Sequence, residues 1–101
     1  MKRLTYKDFS EIRNDQTRLI DVREADEYRA VHVKGAELWP LSRIQEGALP
    51  EEDERETFVI CRSGARSAVA ASIFERMGWR ECTNIEGGTL AAQEMGADHV
   101  E

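Results

Sequence analysis

The residues in this chain whose types and spacing allow covalent chemistry lie in Phe58-Val59-Ile60-Cys61-Arg62-Ser63-Gly64-Ala65-Arg66-Ser67, an apolar run that ends on a cysteine and opens into a small, basic loop. Phe58 to Ile60 are β-branched or aromatic and suit a buried strand, whereas Val69, Ala70, Ile73, Phe74 and Met77 recur at helical spacing until Gly78 provides a stop. A strand, a loop and a helix in this order set the Cys61 sulfur beyond the carboxyl end of a strand, where open α/β sheets bind ligands. They also set it before a helix N-terminus, whose free N–H groups favour an anion. Such surroundings, with Arg62 and Arg66 close in sequence, lower a thiol pKa to roughly 3.5 to 7.5 from about 8.5, so Cys61 is read as a reactive thiolate.

The elements that must position this loop can be read on either side of it. Thr5 and Asp8, with Tyr6, Phe9 and Ile12 at helical intervals, predict a capped first helix ending near Asn14-Asp15. Thr17 to Val22 reads as the first central strand, in which Asp21 breaks the apolar run as a capping or turn residue. Arg23 and Glu27 lie four apart in a short helix, and a local ion pair takes precedence over a substrate role for Arg23. His32, between Val31 and Val33, is read as a structural histidine tying a loop to the backbone rather than as a general base. Gly35-Ala36 turns the chain into a short strand, Glu37 to Trp39, closed by Pro40, and Leu41 to Leu49 predicts a short helix with Ser42 as a candidate N-cap. The charge run from Pro50 to Glu56 reads as a solvated connection. Trp79 to Ile85 predicts a further strand carrying Cys82 as a small core residue, Gly87-Gly88 a tight turn, and Thr89 to Met95 a last helix before Gly96.

Length and composition narrow the function classes. A chain of 101 residues has the size of one domain spanning 1–101 and is too short for two. Hydrophobic residues make up 41% and charged residues 34%, a globular balance, and no apolar run approaches the roughly 20 residues of a membrane span. The amino terminus lacks the apolar stretch of a signal peptide, so a cytoplasmic location is expected. A formal net charge of −6 argues against bulk attraction to nucleic acid or to an anionic membrane, although the loop beside Cys61 is locally basic. Two cysteines and two histidines form no metal-ligand spacing, and neither a metal nor a cofactor is expected.

The loop Cys-Arg-Ser-Gly-Ala-Arg-Ser at 61–67 resembles the active-site loop of rhodanese-like sulfurtransferases, particularly the small single-domain ones. Leu19-Ile20-Asp21-Val22-Arg23-Glu24 with Glu27-Tyr28, then His32-Val33-Lys34-Gly35-Ala36, is similar to an upstream stretch of that family, and Asn84-Ile85-Glu86-Gly87-Gly88 is similar to its downstream glycine turn. The motifs follow the family's order from Leu19 to Gly88. The resemblance implies an α/β fold with a central, mostly parallel sheet and helices on both faces. It also implies a cysteine that carries sulfane sulfur as a persulfide, and a scaffold role for Asp21. Two departures stand out: Ala92 where many members carry a tryptophan, and Gly96-Ala97-Asp98-His99-Val100 in place of the family's usual proline-containing ending. Trp39, too, replaces a small aliphatic residue.

On this reading the Cys61 thiolate attacks the outer sulfur of a small anionic donor such as thiosulfate and passes it to a thiol, cyanide or protein acceptor. Arg62 and Arg66 are the expected donor contacts, while Ser63, Gly64, Ala65 and Ser67 form the loop and supply its amides. Two alternatives stay open. A cysteine-dependent phosphatase or arsenate reductase resembles this arrangement but places five residues between cysteine and arginine, where this loop has four. A non-catalytic binding module on the same fold commonly replaces the cysteine, which is present here. A thioredoxin-like redox site would need a Cys-x-x-Cys, which is missing.

Overall fold

The computed structural model describes residues 1–101 and shows an α/β arrangement around one sheet. In chain order the elements are β1 (Lys2–Thr5), α1 (Tyr6–Ile12), β2 (Thr17–Asp21), α2 (Ala25–Ala30), β3 (Glu37–Leu38), α3 (Leu41–Gln45), β4 (Glu56–Ile60), α4 (Ala65–Arg76), β5 (Thr83–Glu86) and α5 (Gly88–Met95), followed by a 3₁₀ turn at Ala97–His99. The five strands lie in the order β1-β5-β4-β2-β3, and every pairing is parallel. Parallel strands need helical crossovers, and here these cover both faces of the sheet.

Side-chain alternation explains how one sheet serves two cores. Ile20 and Val59 face Leu41 and Ile44 of α3 and Ala70, Ala71 and Phe74 of α4. Their chain neighbours Leu19, Phe58 and Ile60 face the other way, onto Tyr6 and Phe9 of α1 and Ala92 of α5. The period-two pattern of β2 and β4 therefore reads as a continuous apolar run in sequence because both faces are buried. No helix is long and apolar enough to cross a membrane.

Several boundaries and contacts differ from the sequence expectation. β1 was not expected: Lys2 to Thr5 carries only one half-buried apolar side chain, Leu4, and is held as an edge strand by backbone pairing with Thr83 to Glu86. Leu41 to Gln45 is the whole of α3, and its N-cap is Pro40; the Ser42 hydroxyl instead donates to the Glu24 carboxylate at 2.8 Å. β5 begins only at Thr83, because Trp79 stacks on Phe74 and Arg80 turns toward the segment before β4. That segment, expected to be a solvated connection, is anchored: Arg80 donates to the Glu52 carboxylate and to the backbone oxygens of Asp53, Glu54 and Arg55.

The expected Arg23–Glu27 ion pair does not form. Arg23 turns back to Asp21, giving a 2.8 Å salt bridge between two buried side chains, and also donates to the Val31 carbonyl at 2.7 Å. The cause is burial: Asp21 sits fully enclosed at the end of β2 and accepts the Arg23 amide as well as its guanidinium. Glu27 is thereby left for another partner. Ala92 is fully buried beside Tyr6, Phe9 and Ile85, and the altered carboxyl end is fastened by the Tyr6 hydroxyl to His99 Nδ1 at 3.0 Å and by a bridge of Val100 to Val33. Trp39 lies against the α3–α4 core and donates its indole N–H to Glu37.

Candidate active site

β4 delivers Cys61 at its carboxyl end, and the chain then turns through Arg62 and Ser63 to Gly64, which caps α4. Gly64 has φ 118°, in the left-handed region that a side chain disfavours, and this conformation brings its own N–H to 3.1 Å from the Cys61 sulfur. The Ser67 hydroxyl lies 3.3 Å from the same sulfur. Cys61 is 1% exposed, so its thiol sits inside a ring of loop amides rather than on the surface. Arg62, Ser63 and Ala65 are exposed at the rim.

Two opposing effects act on the Cys61 thiol. Burial pushes it up; the Ser67 hydroxyl, in so far as its proton faces the sulfur, and the amides of Ser67, Gly64 and Ser63 pull it down, and the net direction is below the ordinary cysteine value. Cys82 provides the contrast. It lies in the core with its thiol 3.6 Å from the Arg80 carbonyl, and burial, with Glu75 beside it, pushes the thiol up to about 11.

The arginines divide. Arg66, expected as a donor contact, meets Glu27 of α2 in a two-pronged pair at 2.7 and 2.9 Å, while Arg62 makes no such pair and stays exposed. The Glu27 carboxyl is held down to about 2, first by the hydrogen bond from Arg66 and against the opposing effect of burial. The same carboxylate accepts the Glu24 amide and closes a capping box at the start of α2. Lowering of the Cys61 thiol therefore comes from the hydrogen bonds of Ser67, Gly64 and Ser63 more than from the arginines.

Three residues behind the loop were not singled out for the site by their sequence positions. Asn84 on β5 donates from Nδ2 to the Gly64 carbonyl at 3.1 Å and accepts the Ser67 hydroxyl at Oδ1. Thr89, at the start of α5, holds the Cys61 carbonyl with both its amide, at 2.9 Å, and its hydroxyl, at 3.0 Å. Gly88 lies so close that a Cβ there would stand 2.5 Å from the Arg62 carbonyl oxygen and 2.6 Å from that of Cys61. The Asn84 and Gly87-Gly88 pattern is legible in sequence, but only parallel pairing of Val59 with Asn84 shows which loop it supports.

Asp21 and His32 make their hydrogen bonds to groups other than the Cys61 sulfur. Asp21 is committed to Arg23, and His32 donates from Nδ1 to the Tyr28 carbonyl at 2.9 Å, stacks on the Tyr28 ring and approaches the Glu101 carboxylate at 3.4 Å. No group of three or more His, Cys, Asp or Glu side chains is placed to hold a metal ion. Two concavities lie elsewhere on the molecule. One, of about 280 Å³, is lined only by polar and charged residues near the start of β4, and the other, of about 380 Å³, lies between Thr5, Gly87 and Met95. Cys61 lines neither.

A similar design occurs in known proteins. The chain is 36% identical over 85 residues to the probable adenylyltransferase/sulfurtransferase MoeZ of Mycobacterium tuberculosis, a match covering 81% of this chain and 22% of that protein. It is 31% identical to the putative sulfur carrier protein YrkF of Bacillus subtilis, over 74% of this chain and 40% of the relative, so it spans less than half the length of either. Among solved structures, a rhodanese homolog from Thermus thermophilus superimposes with a TM-score of 0.73 at 28% identity, covering 89% of this chain and 99% of the other. A rhodanese-like domain protein from Staphylococcus aureus reaches 0.78 at 25% identity, covering 90% of each chain. The rhodanese-like domain model matches residues 5–94, nearly the whole sheet with its crossovers and the cysteine loop, and the chain belongs to that family.

Proposed function

We propose that the protein is a sulfurtransferase in which Cys61 carries sulfane sulfur between a small anionic donor and a nucleophilic acceptor. The observation that supports this most is the enclosure of the Cys61 sulfur by its loop, with the Gly64 amide at 3.1 Å and the N-terminus of α4 behind it. In the first step the Cys61 thiolate attacks the outer sulfur of thiosulfate, the donor's S–S bond breaks, and sulfite leaves with the electron pair. Cys61 then holds a persulfide whose negative charge lies on the outer sulfur, at the loop mouth. In the second step cyanide or an acceptor thiolate attacks that outer sulfur, forming thiocyanate or a new persulfide and returning the Cys61 thiolate. Fixed amide donors facing the sulfur are set before the reaction and need no reorganisation during it.

Arg62, exposed beside the loop, is the donor-anion contact, with Arg66 contributing the N–H groups that Glu27 does not occupy. The naming of one relative as a sulfur carrier favours a protein thiol among the acceptors. Intact-mass measurement after incubation with thiosulfate tests the proposal: the chain should gain one sulfur atom, which cyanide removes, and Cys61→Ser should gain none. A parent protein that takes up no sulfur and instead hydrolyses an aryl phosphate would replace this reading with the phosphatase one.

A further inference from the structure

The hydrogen bonds behind Cys61 assign a direction to the Ser67 proton. Gly64 offers Asn84 a carbonyl oxygen, which can only accept, so the amide nitrogen of Asn84 must face it, at 3.1 Å. The Asn84 oxygen then faces the Ser67 hydroxyl, and between two oxygens only the serine can donate. A serine has one proton. Ser67 is fully buried and Asn84 only 5% exposed, leaving no room for solvent to supply another donor.

We propose that Asn84 is a positioning residue for the sulfur chemistry: it takes the single Ser67 proton, so that Ser67 meets the Cys61 sulfur, 3.3 Å away, as an acceptor and not as a donor. An accepting serine suits a thiol, whose S–H can point at it, and tolerates the uncharged inner sulfur of a persulfide. It opposes a bare thiolate. To help the thiolate, Ser67 must swing its proton away from Asn84 and leave a buried carbonyl oxygen without a donor, a costly state. The backbone amides of Ser67, Gly64 and Ser63 are then the hydrogen-bond donors the loop offers the anion, with the Arg66 charge acting at longer range. The consequence for turnover rests on the sulfurtransferase reading: Cys61 becomes a poorer leaving group, and the persulfide is retained until an acceptor attacks.

The charged groups on the elements packed about the loop are Arg66 of α4, paired with Glu27 of α2; the Asp21–Arg23 pair at the end of β2; Arg62 in the loop; and exposed Glu86 at the end of β5. The variants below leave all of them in place. Asn84→Leu removes the acceptor while keeping side-chain bulk, and the Gly64 carbonyl keeps the Ala68 amide at 3.4 Å. Ser67→Ala removes the hydroxyl.

The test is the pH dependence of iodoacetamide alkylation of Cys61 in the full chain, with Cys82→Ser as the common background. It needs no sulfur donor, so its outcome is independent of persulfide formation. Asn84→Leu should lower the midpoint by about one pH unit, giving about tenfold more thiolate at a pH below it, because the freed serine proton turns to the sulfur. Ser67→Ala should lower the midpoint too, and adding Asn84→Leu to Ser67→Ala should shift it no further. A midpoint raised or unmoved by Ser67→Ala overturns the proposal, as does a folded Asn84→Leu protein whose midpoint fails to fall or one that still shifts it without Ser67. If circular dichroism shows Asn84→Leu unfolded, the sign for Ser67→Ala decides alone.

Discussion

Replacing Glu27 with glutamine tests whether the α2 carboxylate is what anchors Arg66. The substitution keeps the shape and one acceptor but removes the charge from a pair that spans 39 residues of sequence, at 2.7 and 2.9 Å. The Glu27 carboxyl is held at about 2 against an ordinary 4.5, and a shift of that size converts to an upper limit of about 3.4 kcal/mol. Solvent reaches both partners, with side-chain exposures of 35% for Arg66 and 29% for Glu27, and screening reduces the contribution to about 1 to 2 kcal/mol. Because the folded-state carboxyl is depressed, its stabilisation is present in full above pH 4.5 and lost as the pH falls toward 2. Urea unfolding of parent and variant should therefore differ by about 1 to 2 kcal/mol at pH 7 and converge through that acid window. An equal difference at pH 7 and near pH 2 would show that the effect is steric and that the ion pair contributes nothing. The alkylation profile of Cys61 should move little, since the hydrogen bonds that lower its thiol come from Ser67, Gly64 and Ser63 and none from Arg66.

Gly88→Ala should cost about 3 kcal/mol or more in urea unfolding, since the added Cβ meets the Arg62 and Cys61 carbonyls at 2.5 and 2.6 Å and the residue has φ 57°; unchanged stability would mean that α5 moves freely away from the loop. Cys82→Ser should keep most of the sulfur uptake, whereas Cys61→Ser should abolish it, and the reverse pattern in intact-mass spectra would move the persulfide to the core cysteine. A glycine inserted after Gly64 should lower thiosulfate turnover by two orders of magnitude or more, as displaced amide donors each cost about 2.7 to 4 kcal/mol. A folded insertion variant with parent-like turnover would show that ring size does not select sulfur.

Local pattern was enough for much of the molecule. The apolar run into Cys61, the helical spacing from Val69 to Phe74 and the Thr5 cap, whose hydroxyl accepts the Asp8 amide at 3.2 Å, each depend on neighbours within one turn or one strand. Cys82 was expected to be buried within a strand from Trp79, and it is buried, but just before β5, which starts at Thr83. Elements held by the rest of the sheet were not readable from local pattern. Lys2 to Thr5 has no strand-like apolar pattern and becomes β1 through backbone bonds to β5, the strand farthest from it in chain order but adjacent in the sheet.

The cysteine loop itself shows the same division. Its sequence determined that a thiol would stand at a strand end before a helix, because strand and helix periods meet there. Partner choice was decided in three dimensions: Arg23 went to Asp21, releasing Glu27 for Arg66, and the pairing of Val59 with Asn84 carried an amide to the back of Ser67. Charge and hydrogen-bonding capacity are written in the residues, but several partners are always within reach of composition alone. Burial and strand register select among them, since a buried polar group must be satisfied by whichever neighbour the fold places against it.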